Sequence, residues 1–138
     1  MSTRHSGRKL AMQVLYQVVT RDQDISDFID SVIENSDMDK SIKNWSKELA
    51  LGTWSNKDQI DLLIDELAVD WTIDRMSLLD VSILRLGFYE LTKSNTPHNV
   101  VVNEAVELAK EFSSFDSPKF INGILGNYVK QYVHRANR

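Results

Sequence analysis

The densest group of side chains able to do chemistry lies at the start of this chain. Arg4, His5, Arg8 and Lys9 stand close together, and residues 1–21 contain no acid. Clustered guanidinium and ammonium groups suit phosphate oxygens, which they meet through charge-assisted hydrogen bonds. Gln13 and Tyr16 follow within two helical turns of Lys9, adding an amide and a ring on which an unpaired base could stack. Together these residue types fit nucleic-acid binding. The bland alternative is that the cations are solvated and that Tyr16 is core, beside Leu15 and Val18. Composition alone does not choose between them.

Other chemistry finds little support. His5, His98 and His134 are scattered without metal-ligand spacing, and with no cysteine there is neither a disulfide nor a cysteine-based zinc site. There is no glycine-rich phosphate loop and no GxSxG elbow. Asp61, Asp65, Glu66, Glu104, Glu107 and Glu111 fall opposite apolar stripes, the pattern of a solvated helix face. The expectation is a chain with no catalytic residues, no metal and no cofactor: a binding protein and not an enzyme.

The charge distribution sharpens the question of partners. The net charge of −4 combines four cations without an acid in residues 1–21, four more in 117–138, and an acidic middle. A basic end can meet an anion while the acidic body stays in solution. MSTRHSGRKL lacks the apolar centre of a signal peptide, and no stretch reads as a membrane span, so a cytoplasmic location and no membrane partner are expected. The 138 residues suffice for a single domain, 1–138.

Helices must position these groups. Leu10, Ala11, Val14, Leu15 and Val18 form one apolar face over 6–20. A short helix fits 25–35, with Phe28, Ile29, Val32 and Ile33 inward. Ile42, Trp45, Leu49 and Trp54 continue at helical spacing, but Gly52 and Ser55-Asn56 predict a bend or split before the Ile60, Leu63, Ile64, Leu67 stripe, which ends near Asp70. Ser94-Asn95-Thr96-Pro97 is the clearest loop. Val101, Val102, Ala105, Leu108, Ala109 and Phe112 make an amphipathic helix. Ser117 reads as an N-cap before Pro118 at the first helical position. Gly123 and Gly126 each cost about 1 kcal/mol relative to Ala within that last helix, which suggests close approach of another backbone.

The organising stretch is 74–93, DRMSLLDVSILRLGFYELTK. Its apolar residues from Leu78 to Leu91 leave no broad polar face, so it reads as a buried central helix with the others wrapped about it. Asp80, Arg85 and Glu90 are its charges there, and each must reach water or a partner.

AMQVLYQ at 11–17, LRLGFYEL at 84–91, VVVNEAVELAKEF at 100–112 and SPKFINGIL at 117–125 together resemble the NusB family of transcription antitermination factors. The resemblance spans residues 4 to 130. It implies an all-α helical bundle of about seven helices around a central buried helix, arranged as two three-helix groups plus one. It also implies a factor that binds boxA-type single-stranded RNA together with ribosomal protein NusE and supports processive transcription of ribosomal RNA operons. The transcription elongation complex is then a further partner, and the resemblance leaves a homodimer open. The family's arginine-rich N-terminus matches Arg4, His5, Arg8 and Lys9, and its RNA-contacting tyrosine matches Tyr16. Its partner contacts fall on Asp116 and Phe120, with Asp80 a further candidate. The family's arginine run is thinned here to Arg4-His5-Ser6-Gly7, which implies weaker RNA binding alone and more reliance on the partner. The alternatives are a helical protein-interaction module, or an accessory domain of an rRNA-modifying system.

Overall fold

The computed structural model describes residues 3–69 and 71–134; Asp70, Arg135 and Arg138, used in the sequence reading, lie outside them. Among the described residues there are seven α-helices and no strand. They are α1 (Thr3–Arg21), α2 (Ile29–Glu34), α3 (Lys40–Ser55), α4 (Lys57–Leu67), α5 (Leu78–Lys93), α6 (His98–Phe112) and α7 (Ser117–Tyr128). Single 3-10 turns occupy Ile25–Asp27 and Ile73–Arg75, and a π-helical stretch, Val129–Val133, prolongs α7. None of the described helices is long and apolar enough to cross a membrane.

The all-helical expectation holds, and α5 is the central helix. Val81, Ile83, Leu84, Leu86 and Phe88 are buried on it, and it packs against α1, α3, α4, α6 and α7. Around it, α1, α2 and α3 contact one another, as do α5, α6 and α7, while α4 bridges α3, α5 and α7. The three charges of α5 all find partners. Asp80 meets serine hydroxyls, Glu90 meets Arg8, and Arg85 donates two hydrogen bonds to Asp61 at 2.9 and 2.8 Å.

The structure departs from the sequence reading at helix ends. The central helix starts at Leu78 and not Asp74, because the Ser77 hydroxyl accepts from the Asp80 backbone N–H at 3.1 Å and caps it there. Leu78, left on that first turn, is 44% exposed. The 25–35 segment divides around Phe28 into a 3-10 turn and α2. The split foreseen near Ser55-Asn56 falls at Asn56.

Helix α7 begins one residue earlier than the Ser117 cap predicted. Asp116 is its N-cap, Ser117 its first residue and Pro118 its second. The Ser117 hydroxyl donates across to Asp80 instead of capping its own helix. Nor, among the described residues, do Gly123 and Gly126 admit a neighbouring backbone, since a Cβ at either would meet nothing within 4 Å. Gly7 is different: a Cβ there would lie 2.8 Å from the Trp45 ring, so its lack of a side chain lets α1 sit against α3.

Candidate functional site

Helical phase separates the four cations of α1. Arg4 remains exposed, with its guanidinium carbon 4.7 Å from the centre of the Trp45 ring. His5 places Nδ1 2.5 Å from a Glu104 oxygen and Nε2 3.6 Å from Glu111. Lys9 reaches Glu111 at 2.9 Å and lies 5.1 Å from the centre of the Phe112 ring. The hydrogen bond from Lys9 holds the Glu111 carboxyl below its ordinary range.

Arg8 stands apart from the expected phosphate-contacting surface. It is 3% exposed, and its Nε and Nη2 each donate to Glu90 at 2.9 Å, with Glu90 itself 2% exposed. A buried guanidinium needs such a carboxylate. Arg8 therefore joins α1 to α5 and is not displayed. Gln13 and Tyr16 are half-buried and keep part of their surface open, rather than standing fully exposed. Sequence reasoning treated Trp45 as one more residue of an apolar stripe, and nothing in its spacing marked it as the ring beneath Arg4.

The residues assigned to partner binding converge elsewhere. Asp80, Asp116 and Phe120 line one depression of about 310 Å³ where the start of α5 meets the start of α7, with Trp71 and Arg75 on its walls. Asp80 is only 8% exposed; its oxygens accept from Ser113 at 2.6 Å and Ser117 at 2.9 Å. Among the described residues no cation forms an ion pair with it, so its charge is hydrogen-bonded but not cancelled. Asp116 is exposed at the N-cap of α7 and its side chain makes no capping bond. Phe120, half-buried, meets Trp71 edge-on with ring centres 5.9 Å apart.

Apolar surface continues from there. Phe115 is 98% exposed, Val69 71% and Trp71 49%. A groove of about 510 Å³ runs from Asp116 and Phe120 past Gly123 to Leu67 and Val69. Exposed apolar patches of this kind mark contact surfaces. The sequence reading missed Val69, Trp71 and Phe115. Gly123, which lines the groove, was the available signal, pointing to a close approach that nothing among the described residues makes.

A model of the NusB family matches residues 5–130. The transcription antitermination protein NusB of Streptomyces griseus is 42% identical over 132 residues, covering 93% of this chain and 92% of that one. Among solved structures, T. maritima NusB superposes with a TM-score of 0.82 at 32% identity, covering 95% of this chain and 93% of that one. A chain from the crystal structure of antitermination factors NusB and NusE in complex with double-stranded RNA gives a TM-score of 0.85 at 28% identity. That match covers 96% of this chain and 99% of that one.

Proposed function

This chain belongs to the NusB family, and from that premise we propose that it is a non-catalytic antitermination factor joining RNA to a ribosomal protein of the NusE type. The start of α1 is the RNA surface, through Arg4, His5, Lys9, Gln13 and Tyr16, with Arg8 positioning that helix from inside. The RNA it takes is single-stranded, since a ring such as Tyr16 stacks only on a base freed from pairing, and the family resemblance implies that it is of boxA type. The depression at Asp80, Asp116 and Phe120 is the partner surface, and the assembled pair acts on the elongating transcription complex.

The observation that carries this reading is the convergence of Asp80, Asp116 and Phe120 on one acidic, aromatic-rimmed depression away from the basic start of α1. Uncancelled acid beside exposed rings complements a basic protein with an apolar anchor. A gel-shift series with boxA-like RNA, with and without NusE, tests it. NusE should tighten retention of the matched RNA over a scrambled one. For the protein alone, phosphate contacts from Arg4 and Lys9 should give a slope of log affinity against log salt of about −1.4, at roughly 0.7 per contact. Equal retention of scrambled RNA would leave a helical protein-interaction module as the better reading, since the exposed groove alone supports that.

A further inference from the structure

We propose that the cleft over Trp45 receives one unstacked base of the RNA, a binding place distinct from Tyr16. The inference rests on the RNA-binding reading above and names a site within it. The cleft measures about 530 Å³, and Arg4, Trp45, Asn95, Thr96 and Glu104 line it. It lies between the start of α1, the side of α3 and the 94–97 loop.

Its charge favours a base over a bare phosphate. Arg8 also lines the cleft, its guanidinium carbon 5.1 Å from the centre of the Trp45 ring, but its charge is cancelled by buried Glu90, and Glu104 is engaged by His5. Arg4 is the remaining cation, opposite an aromatic wall, and no carboxylate among the described residues forms an ion pair with it. A cleft with one exposed cation, one acid and a ring binds an apolar, hydrogen-bonding plane better than a bare anion.

The ring is held for such a role. Gly7 leaves room for the indole against α1, and the Ser46 hydroxyl, on the next residue, donates to the Gly7 carbonyl at 2.8 Å. These contacts fix Trp45 while leaving it half-buried and facing the cleft. A guanidinium and a base both stack on an aromatic face, so a base can take the place of Arg4 over the indole. The displaced guanidinium is then free to meet the flanking phosphate or to stack on the far face of the base.

The loop supplies the edge contact. The Ser94 hydroxyl donates to the Glu90 carbonyl at 2.8 Å and accepts from the Thr96 N–H at 3.2 Å, so the loop is tied to the end of α5. Asn95 between them is exposed and carries both a donor and an acceptor, as reading a base edge requires. Gly7, against which the Trp45 ring lies, and Tyr16 are nine residues apart on α1, about 13.5 Å along its axis at 1.5 Å per residue. The two rings therefore serve two different bases.

The test is a cycle between protein and RNA changes, measured by gel shift with NusE present. A set of boxA-like RNAs, each with one abasic position, is titrated against wild type, Trp45→Leu and Asn95→Ala. Trp45→Leu should weaken binding of intact RNA roughly 5- to 150-fold, the range of a base–aromatic stack. At one RNA position the abasic penalty seen with wild type should vanish in Trp45→Leu and shrink in Asn95→Ala. A merely structural role for Trp45 would lower affinity for every RNA and leave each abasic penalty unchanged, which overturns the site. Asn95→Ala lies on the exposed loop, so it decides the matter even if Trp45→Leu fails to fold. If wild type with NusE retains no RNA, the function reading falls and the site with it; retention with unaltered penalties removes the site alone.

Discussion

Helix α5 carries two buried carboxylates that meet opposite fates. Asp80 and Glu90 are ten residues apart, about 15 Å along the axis. They are 8% and 2% exposed. Glu90 faces Arg8 through two charge-assisted hydrogen bonds, so its charge is cancelled. Asp80 faces the hydroxyls of Ser113 and Ser117, so its charge persists. The first withdraws a cation from the basic start of α1 and uses it to fasten that helix. The second keeps an acid beside the aromatic rim of the depression proposed as the partner surface. A charge therefore counts toward binding only after its internal partners are known, and the two ends of α5 differ in those partners.

The comparison breaks most visibly at Glu90. Glu90→Ala leaves the Arg8 guanidinium buried without a counter-charge and should cost ~3–5 kcal/mol in a denaturant titration. Replacing both, Arg8→Met with Glu90→Leu, should recover most of that loss. A midpoint unmoved by Glu90→Ala would show that Arg8 reaches water and belongs with the RNA-facing cations after all. At the other end, Asp80→Asn keeps the size of the side chain and one acceptor oxygen. It should cost ~1.5–3 kcal/mol, the contribution of a hydrogen bond to a charged group. A loss as large as that at Glu90 would mean that the serines cancel the charge as fully as an arginine does.

This contrast also marks what the sequence could and could not tell. The apolar circumference of 78–91 made α5 central, and it required partners for Asp80, Arg85 and Glu90 without naming them. Periodicity reports which side of one helix is buried, not which residue of another helix lies across from it, so Arg8 looked like part of a surface cluster. Ser117 was misplaced for the same reason: its hydroxyl answers to Asp80, 37 residues away, and not to its own helix. The expectation that Asp116 and Phe120 meet a partner came from family resemblance. Their convergence with Asp80, and the exposed Trp71 and Phe115 around them, needed the fold.

At the RNA end the question becomes whether rings or charges carry binding once Arg8 is withdrawn. Tyr16 is half-buried on α1, so it has surface to give. Tyr16→Ala should cost ~1–3 kcal/mol of RNA affinity if the ring carries a base. Tyr16→Phe, which keeps the face of the ring, should cost much less. A Tyr16→Ala protein that unfolds while its folded fraction binds RNA normally would assign the ring to the core.

The smallest effect is at Asp116, and it separates a helix cap from a contact. Asp116 stands at the N-cap of α7, where a carboxylate favours the positive end of the helix by ~0.3–1 kcal/mol. Its side chain makes no capping hydrogen bond, so that attraction is through space and screened by salt. If this were its whole role, Asp116→Asn would lower stability slightly and leave complex formation alone. Being exposed on the rim of the depression, it would under the proposed function also meet an approaching basic partner without having been desolvated beforehand. Asp116→Asn should then weaken NusE binding at low salt, and the difference from wild type should narrow as salt rises. Calorimetric titration of NusE into both proteins at two salt concentrations reads the two roles apart. A deficit that persists undiminished at high salt would assign Asp116 a buried hydrogen bond in the complex, and identical affinities at both concentrations would remove it from the interface and leave Asp80 as the acid that matters.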